Sequence, residues 1–225
     1  MISPPLVVVG AGGFGRETVA AIDAVNRVRP TWRLLGFLDD DPTIHGRAIG
    51  GTTVVGAVDA LADLDPDTAV VACVGNPRDI GRRERMVGRL DLPSHRYATI
   101  VHPSAAIAPD CLIGPGSVIL AHTTLTATVT LGAHVAVMPQ VVLTHDDVVE
   151  EFATIASGAR LGGGVHIGRG AYVGAGALIR ESVRVGDGSL VGMGSVVLRD
   201  VPPGQVWVGS PARHLREVHP RVEAG

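Results

Sequence analysis

The sequence predicts a chain in two parts, an α/β domain followed by a β-solenoid. Three observations support this prediction. Strand-like apolar runs alternate with helical segments over residues 1–98, aliphatic residues recur every six positions from about residue 106, and the 225 residues include 30 glycines but only 3% aromatic residues. A core built from small and β-branched side chains favours strands over helices.

The first part begins with a strand, a glycine turn and a helix. The apolar run LVVV precedes GAGGFG, and Val19, Ile22 and Val25 then recur at helical spacing. The segments WRLLGFLDDDP and DTAVVACVGNP indicate two further strands, and an arginine-rich helix follows the second of them. Strands that alternate with helices predict a small parallel sheet with crossover connections, which assigns residues 1–98 to one domain.

The second part, residues 99–225, has a period of six. Every sixth residue from Ile107 to Val197 is aliphatic, which makes sixteen hexads without a break. The residue four places later is small or β-branched in every hexad but one, where it is Asp147. Each hexad is predicted to be a short strand and a turn, with three hexads per coil and both positions pointing inward. Glycine directly follows the aliphatic residue in seven hexads, and we expect it to supply the positive φ of the turns.

Composition and charge argue against several classes of function. A net charge of −3 and a pI of about 6.3, without a cluster of basic residues, argue against a nucleic-acid partner. Cys73 and Cys111 lack metal-ligand spacing, and we expect two reduced, buried thiols in a cytoplasmic protein. The apolar run from Leu6 to Val9 is too short for a signal sequence or a membrane span.

Five segments and the hexads together resemble one protein family. The segments are VVVGAGGFGRE, GFLDDD, VGNPRDIGRR, VHPSA and VPPGQVWVGSPAR. They are similar to those of the NeuD/PglD-like sugar acetyltransferases, which join a Rossmann-like domain to a left-handed parallel β-helix of hexapeptide repeats. The resemblance implies that residues 1–98 bind a nucleotide sugar and that residues 99–225 form a catalytic β-helix with a C-terminal cap. It also implies a homotrimer that binds acetyl-CoA between neighbouring β-helices.

A glycine motif lies between the first strand and the first helix. Gly10, Gly12 and Gly15 form a G-x-G-x-x-G pattern, and Asp39 ends the following strand, as in dinucleotide-binding domains. The pattern alone would indicate NAD. With only about three predicted strands and no dehydrogenase-type catalytic set, it favours the diphosphate of another nucleotide at the helix N-terminus.

The resemblance implies six substrate-binding positions in this chain. Gly12, Gly13 and Phe14 would contact the diphosphate, Asp39 and Asp40 the nucleoside, and Gly75 would line the pocket. The bacillosamine enzymes of the family carry a histidine at the position of Phe14, which argues against a polar role for this side chain.

The stretch LTHDDV offers a general base. Acyl transfer to an amine or hydroxyl needs a group that removes the proton of the nucleophile, and histidine suits this task near neutral pH. His145 lies two positions after the inward-pointing Leu143, so the six-residue period places it at a turn. The resemblance implies that His145 is the general base and that Asp146 raises its basicity. Asp147 holds an inward position, so either it finds partners within a distorted turn or it, rather than Asp146, holds His145.

Three further histidines of the hexads, His122, His134 and His166, are predicted to lie on the surface. Their spacing lacks the His-x4-His pair of the γ-class carbonic anhydrases, which share the β-helix, so we expect no zinc site.

The resemblance also implies contacts with the coenzyme. The positions that would touch acetyl-CoA are Thr154, Ala175 and Met193. Where bacillosamine enzymes carry a histidine this chain has Thr154, whose hydroxyl can still donate one hydrogen bond. We also expect Arg213, in the ending GSPAR, to lie near the phosphates of the coenzyme.

These observations predict an acetyl-CoA-dependent N-acetyltransferase that acts on a nucleotide-activated amino sugar of the UDP-4-amino-4,6-dideoxyhexose type. Two alternatives stay open. One is an O-acetyltransferase of sialic acid or another sugar hydroxyl, because the same base serves either nucleophile. The other is a non-catalytic trimer that binds a nucleotide sugar through its N-terminal domain.

Overall fold

The N-terminal domain is a mostly parallel sheet with helices packed on it. The computed structural model describes residues 3–218 of the chain. The elements of this domain are β1 (Pro5–Val9), α1 (Gly13–Val28), β2 (Arg33–Leu38), β3 (Ala48–Ile49), β4 (Thr52–Gly56), β5 (Ala69–Ala72) and α2 (Arg82–Leu90), with short 3-10 helices at Pro42–Ile44, Val58–Asp63 and Ser94–Arg96. The strand order is β3-β4-β2-β1-β5, and β3 runs antiparallel to β4. The predicted α/β fold is confirmed.

This sheet has five strands where the sequence indicated about three. The additional strands, β3 and β4, form a hairpin in which Ile49 pairs with Thr52. Gly50 and Gly51 connect them with φ values of 59° and 87°, as a tight two-residue hairpin turn requires. The sequence IGGT carries this signal, which the alternation of strands and helices does not reveal.

The second part is a parallel β-helix built from very short strands. They are β6 (Ile100–Val101), β7 (Ala106–Ile107), β8 (Leu112–Ile113), β9 (Val118–Ile119), β10 (Thr124–Leu125), β11 (Thr130–Leu131), β12 (Ala136–Val137), β13 (Val142–Leu143), β14 (Val148–Val149), β15 (Thr154–Ile155), β16 (Arg160–Leu161), β17 (His166–Ile167), β18 (Tyr172–Val173), β19 (Leu178–Ile179), β20 (Arg184–Val185), β21 (Leu190–Val191) and β22 (Val196–Val197). The sixteen strands from β7 to β22 coincide with the sixteen hexads.

Each coil contains three strands and eighteen residues. Thr124, for example, pairs with Ala106 before it and with Val142 after it. Three sheets result: a first sheet of β7, β10, β13, β16, β19 and β22, a second of β8, β11, β14, β17 and β20, and a third that runs from β6 through β9, β12, β15 and β18 to β21. The left-handed parallel β-helix predicted from the hexads, with three hexads per coil, is therefore confirmed.

The aliphatic residue of each hexad and the residue four positions later fill the core. From Ile119 to Val197 the aliphatic residues are at most 3% exposed. Ile107 and Ile113, in the first coil, are only partly buried. Because every coil presents the same pattern, each layer covers the apolar surface of the layer before it. Asp147 is also fully buried, as its place in the repeat predicts.

Glycine occurs at two turn positions for different reasons, although residues such as Asp146 also occupy the left-handed one. In the turns from Gly116 to Gly194, the left-handed conformation occurs three positions after the aliphatic residue, as at Gly176 with a φ of 67°. The glycines directly after the aliphatic residue do not have positive φ, so the role expected for them is wrong. At Gly174, a β-carbon would lie 2.6 Å from the backbone nitrogen of Met193 in the next coil. These glycines allow close stacking of the coils.

The N-terminal domain packs against the third sheet. β6 lies at the start of this sheet and pairs with β9. Ile100, Val118 and Leu120 share an apolar cluster with Val19 and Ile22 of α1. Since a coil has three sides, the corner between the first and second sheets points away from the third. That corner therefore lies on the far side of the β-helix from the N-terminal domain.

The last two strands, β23 (Gln205–Gly209) and β24 (Ala212–Glu217), close the end of the β-helix. β23 extends the third sheet next to β21, and β24 returns antiparallel to β23. Trp207 is buried with Val201 and Ala212 against the core of the last coil. The pair of strands thus shields the apolar end of the solenoid from water.

The expectation for the two cysteines is met only in part. Both cysteines are free, but only Cys73 is buried, whereas Cys111 in the first coil is half-buried, so the expected burial is wrong for Cys111. Within residues 3–218, neither helix combines the length and apolar character needed to cross a membrane.

We expect Gly174→Ala to destabilise the protein more than Gly176→Asn, although both glycines lie in one turn. The new β-carbon at Gly174 would meet three backbone atoms at 2.6 to 2.7 Å, and only a backbone shift could relieve them. Asparagine tolerates the left-handed conformation, and nothing lies within 4 Å of the β-carbon position at Gly176. Urea unfolding should give losses of about 2 kcal/mol or more and of less than about 1 kcal/mol, respectively. Equal losses would contradict this account of the turn.

Candidate active site

His145 lies on the turn between β13 and β14, at the corner between the first and second sheets. Its side chain is 68% exposed, and Nδ1 lies 2.9 Å from Oδ2 of Asp146. Asp146 occupies the left-handed position of the turn, with a φ of 65°, and aspartate tolerates this conformation better than most residues. The turn therefore presents an imidazole and a carboxylate side by side to solvent.

Thr128, one coil earlier, holds the second oxygen of this carboxylate. Its Oγ1 donates a hydrogen bond of 2.6 Å to Oδ1 of Asp146. Hydrogen bonds from Thr128 and from His145 lower the pKa of Asp146, so the carboxylate is ionised at neutral pH. Because an ionised carboxylate only accepts hydrogen bonds, neutral His145 carries its proton on Nδ1. The lone pair of Nε2 is then free to accept a proton from another molecule.

Gly163 gives the ring of His145 its space. This glycine lies eighteen residues after His145, at the same turn position of the next coil. A β-carbon at Gly163 would overlap the imidazole ring. The backbone nitrogen of Gly164 donates to the carbonyl oxygen of His145 over 2.8 Å. The ring therefore lies against the backbone of a coil that is hydrogen-bonded to its own.

Asp147 points into the core and has different partners. Its Oδ2 accepts a hydrogen bond from the backbone nitrogen of Thr144 and its Oδ1 one from that of Val165, both at 2.8 Å. Burial raises the pKa of Asp147 to about 7, although the two backbone donors oppose this shift. Of the two aspartates, the structure thus places Asp146 on His145 and uses Asp147 to join two coils.

The glycine loop leaves the N-terminus of α1 open. Gly10 and Gly15 are needed for packing, since a β-carbon at Gly15 would overlap the carbonyl oxygen of Gly10. Gly12, the N-cap residue, and Gly13 have open space at their β-carbon positions. Exposed backbone amides at a helix N-terminus can bind a phosphate group.

Asp39 and Asp40 directly follow β2, beside a cavity of about 140 Å³. Oδ2 of Asp39 accepts a hydrogen bond of 2.8 Å from the backbone nitrogen of Ala11 in the glycine loop. Asp40 pairs with Arg89, whose Nη1 lies 2.5 Å from Oδ2, and this hydrogen bond lowers the pKa of Asp40. Asp39 thus faces the loop, whereas Asp40 has a cationic partner of its own.

A second cavity, of about 110 Å³, lies between the N-terminal domain and the third sheet. Phe14 and Gly75 line it together with Thr154 of β15. Two predicted substrate positions and one predicted coenzyme position therefore come together here. Arg83 of α2, which the sequence patterns did not single out, also lines this cavity and donates from Nη2 to Oγ1 of Thr154 over 2.9 Å.

The other predicted coenzyme positions lie elsewhere on the β-helix. Ala175 and Met193 stand eighteen residues apart, at the corner that follows the third sheet. Ala175 is half-buried, and Met193 is 79% exposed. Arg213 lies on β24, where its Nη1 donates to the carbonyl oxygen of Ala212 over 2.9 Å.

His134 is buried, so the expectation of a surface position is wrong. Its ring packs edge-on to Tyr97, with centroids 4.6 Å apart, and is stacked with Phe152 at 5.1 Å. Burial, together with the charge of Arg83, lowers the pKa of His134 to about 4. The ring is therefore neutral and forms part of the contact between the N-terminal domain and the β-helix.

The other two histidines predicted to lie on the surface differ in exposure. His122 is exposed, whereas His166 is half-buried, with Nε2 2.6 Å from Oε1 of Glu150. In the part of the chain that the structure describes, no three His, Cys, Asp or Glu side chains are grouped to hold a metal ion.

Within one chain the predicted residues form three groups. His145 and Asp146 occupy one corner, and Ala175 and Met193 a second. The glycine loop lies on the N-terminal domain, and the cavity of about 110 Å³ beside it reaches the third sheet. A β-helix of this kind, with an exposed histidine–aspartate pair and a glycine loop on an added α/β domain, defines a hexapeptide-repeat acyltransferase.

Comparison with known proteins identifies the family. Residues 5–90 match the model of the PglD N-terminal domain, and residues 164–199 match that of the bacterial transferase hexapeptide (six repeats). Among curated proteins, none matches the chain.

Solved structures match over nearly the whole length. The acetyltransferase domain of PglB from Neisseria gonorrhoeae FA1090, also solved with acetyl coenzyme A, is 30% identical with a TM-score of 0.82, and the match covers 95% of this chain and 100% of that one. WeeI from Acinetobacter baumannii AYE is 29% identical with a TM-score of 0.81 and the same coverage. A histidine-to-asparagine mutant of perosamine N-acetyltransferase from Caulobacter crescentus, in complex with CoA and GDP-perosamine, is 25% identical with a TM-score of 0.84, over 96% and 99% of the chains.

The chain belongs to the NeuD/PglD-like family of sugar acetyltransferases. It is accordingly an enzyme, an acyltransferase that uses acetyl-CoA.

We expect Asp147→Asn to remove part of the pH dependence of stability. The pKa of Asp147 is about 7 in the fold, against about 3.9 for an unfolded chain. Because this pKa is raised, the protonated carboxyl group of Asp147 contributes to the free energy of unfolding. This contribution is complete below about pH 4 and is lost as the pH rises through about 7. Urea unfolding at about pH 5.5 and about pH 8 should therefore show a larger loss in wild type than in Asp147→Asn. Asp146→Asn is the control, since the pKa of Asp146 is lowered and this variant should keep the wild-type loss.

Proposed function

We propose that this enzyme transfers the acetyl group of acetyl-CoA to the amino group of a nucleotide-activated amino sugar of the UDP-4-amino-4,6-dideoxyhexose type. One observation carries the proposal. His145 and Asp146 form a hydrogen-bonded pair, with Nε2 free, on a β-helix whose solved relatives include an N-acetyltransferase in complex with CoA and GDP-perosamine. The glycine loop, with Gly12 and Gly13 at the start of α1, supplies the place for the diphosphate of the acceptor.

His145 acts as the general base. Its Nε2 accepts the proton that the sugar nitrogen loses as this nitrogen bonds to the thioester carbonyl carbon. Asp146 is a positioning residue, which fixes the ring through Nδ1 and stabilises the imidazolium. The same proton then passes to the sulfur as the carbon–sulfur bond breaks, so the products are the N-acetylated sugar and free CoA. A backbone N–H group holds the negative oxygen that forms in between.

The complete site requires two copies of the chain. His145 lies on the corner that faces away from its own N-terminal domain, whereas Phe14 and Gly75 line a cavity on the opposite side. In a homotrimer with parallel β-helices, the corner of one subunit meets the nucleotide-binding side of its neighbour. The acyl donor then lies in the groove between them, near Thr154, Ala175 and Met193.

His145→Ala should lower the rate of CoA thiol release by a factor of at least about a hundred, because the variant lacks the group that takes the proton. The assay combines acetyl-CoA with a panel of UDP-, GDP- and dTDP-linked 4-amino sugars and follows the thiol with a chromogenic reagent. Gel filtration and circular dichroism check that the variant keeps the assembly and fold of wild type. A fully active His145→Ala protein would refute the role of this residue.

Asp146→Asn should lower kcat roughly tenfold to a hundredfold with little change in KM for acetyl-CoA, since the base loses its orienting acceptor. Asp147→Asn is the matched variant, one residue along the same turn, and should leave kcat near the wild-type value once stability is accounted for. The opposite result would assign the orienting role to Asp147.

Complementation between subunits tests the shared site. Gly12→Asp should fold, because aspartate is a good N-cap residue and the position is open, but its carboxylate would repel the diphosphate. Trimers made only of Gly12→Asp or only of His145→Ala chains should be inactive. Co-expressed chains should regain a measurable fraction of wild-type activity, because some interfaces then combine an intact base with an intact nucleotide site. No recovery in purified mixed trimers would place both functions within one chain.

The same assay separates the alternatives. Thiol release with sialic acid or another neutral sugar, with an O-acetyl product by mass spectrometry, would assign O-acetylation. Nucleotide-sugar binding without thiol release from any acceptor would assign a non-catalytic binding protein.

A further inference from the structure

Arg83 is a buried cation that joins the N-terminal domain to the β-helix. It lies in the first turn of α2 and is only 3% exposed. Nε donates to the carbonyl oxygen of His134 over 2.9 Å. Nη2 donates to the carbonyl oxygens of Phe152 and Ala153, at 2.7 and 3.0 Å, and to the hydroxyl of Thr154. Two of its three nitrogens therefore have acceptors on the β-helix.

No carboxylate neutralises this charge. Over residues 3–218, every hydrogen-bond acceptor of Arg83 is a neutral oxygen, and none of the ion pairs includes Arg83. Burial lowers the pKa of the guanidinium to about 10, which still leaves it charged at neutral pH. A buried charge without a counter-ion is unfavourable, because it loses its hydration and gains no opposite charge in return. An anion bound beside Arg83 would remove this penalty.

The third nitrogen of Arg83 lies next to Gly75, one of the residues that line a cavity. Nη1 has no hydrogen-bond acceptor in the described part of the chain, and it lies 3.7 Å from the β-carbon position of Gly75. The cavity of about 110 Å³ that Phe14, Gly75 and Thr154 line contains no other charged side chain among its lining residues. The ring of Phe14 lies over the guanidinium, with 5.9 Å between Cζ and the ring centroid.

We infer that Arg83 binds the sugar-linked phosphate of the nucleotide sugar through Nη1. The inference rests on the proposed function, which puts the diphosphate at Gly12 and Gly13, and on the family resemblance, which implies that the nucleoside lies near Asp39. Phe14 follows Gly13 directly, so a ligand that continues from the loop toward the β-helix enters the cavity of Phe14 and Arg83. The second phosphate is the anionic part of the ligand that arrives there, and the sugar extends beyond it toward Thr154.

The chemistry of the guanidinium suits this role. Its fixed, planar donors match phosphate oxygens, and a charge-assisted hydrogen bond in a water-poor cavity is strong. Nη2 already holds Thr154, which lies on the face where the acyl donor is proposed to bind. The rigid guanidinium of Arg83 thus contacts both the phosphate of the acceptor and the β-helix. It fixes the acceptor relative to the groove in which the acyl donor is proposed to bind.

Calorimetric titration with nucleotides alone tests the inference. The probes are UDP and UMP, GDP and GMP, and dTDP and dTMP, and the pair used is the one whose diphosphate wild type binds most tightly. Arg83→Met keeps similar volume without the charge and should weaken diphosphate binding by about tenfold to a hundredfold. The monophosphate lacks the second phosphate, so its affinity should change by less than about twofold.

Gly75→Ala keeps the test decisive where Arg83→Met does not fold. The new methyl group would stand in front of Nη1 at a contact distance of 3.7 Å and about 4.0 Å from Phe14, so it fits without a clash but obstructs the phosphate. Gly88→Ala is the matched control, because this glycine lies on α2 as well and has nothing within 4 Å of its β-carbon position. We expect Gly75→Ala to lose diphosphate affinity selectively and Gly88→Ala to lose none.

Three results would overturn the inference. They are equal losses for mono- and diphosphate, unchanged diphosphate affinity in both Arg83→Met and Gly75→Ala, and a wild-type protein that binds none of the diphosphates. Binding does not involve His145, and the thiol assay on wild type tests the acetyl transfer separately. A selective loss of diphosphate affinity in an enzyme that shows no transfer would therefore support the role of Arg83 while it contradicts the proposed reaction.

Discussion

The stacking of eighteen-residue coils is the constraint on which the rest of this structure depends. Each residue of the β-helix meets the residues eighteen positions before and after it, so a turn is held by two other turns. The pair at the candidate active site takes its surroundings from this rule. Thr128 of the preceding coil fixes Asp146, and Gly163 of the following coil makes room for His145. A side chain exposed to solvent can thus be as well positioned as one in a sheet.

The same turn separates two carboxylates that are neighbours in sequence. Asp146 points outward, accepts two side-chain hydrogen bonds and has a lowered pKa, while Asp147 points inward and has a pKa raised by burial. Environment alone accounts for the difference, because the residue type is the same. The outward carboxylate can serve His145, and the inward one, bonded to Thr144 and Val165, ties one coil to the next. The surroundings of Arg83 likewise change its pKa, which burial lowers, and every hydrogen-bond acceptor of Arg83 within residues 3–218 is a neutral oxygen.

Sequence periodicity predicted the β-helix, the inward place of Asp147 and the exposed turn of His145, because these depend on a repeat that is local in sequence. It did not predict the burial of His134, which depends on Tyr97 and Phe152 from other elements. Arg83 was missed for the same reason, since its acceptors lie more than fifty residues away on the β-helix. The contact of Thr128 with Asp146 could have been predicted from the repeat, because the two residues are eighteen positions apart and so occupy the same turn position of neighbouring coils. The wrong role for the glycines after the aliphatic residues arose because glycine is favoured both where two coils approach closely and where φ is positive. The sequence alone does not distinguish these two reasons.

The three-sided coil also limits how the chain can change in length. An insertion of one hexad before His145 would keep every aliphatic residue inward, yet it would move His145 to a different corner relative to the N-terminal domain. An insertion of eighteen residues would return His145 to its original corner and shift it along the β-helix by one inter-strand spacing, about 4.8 Å. Only insertions or deletions of whole coils, in multiples of eighteen residues, therefore keep His145 on the same side of the β-helix relative to the N-terminal domain.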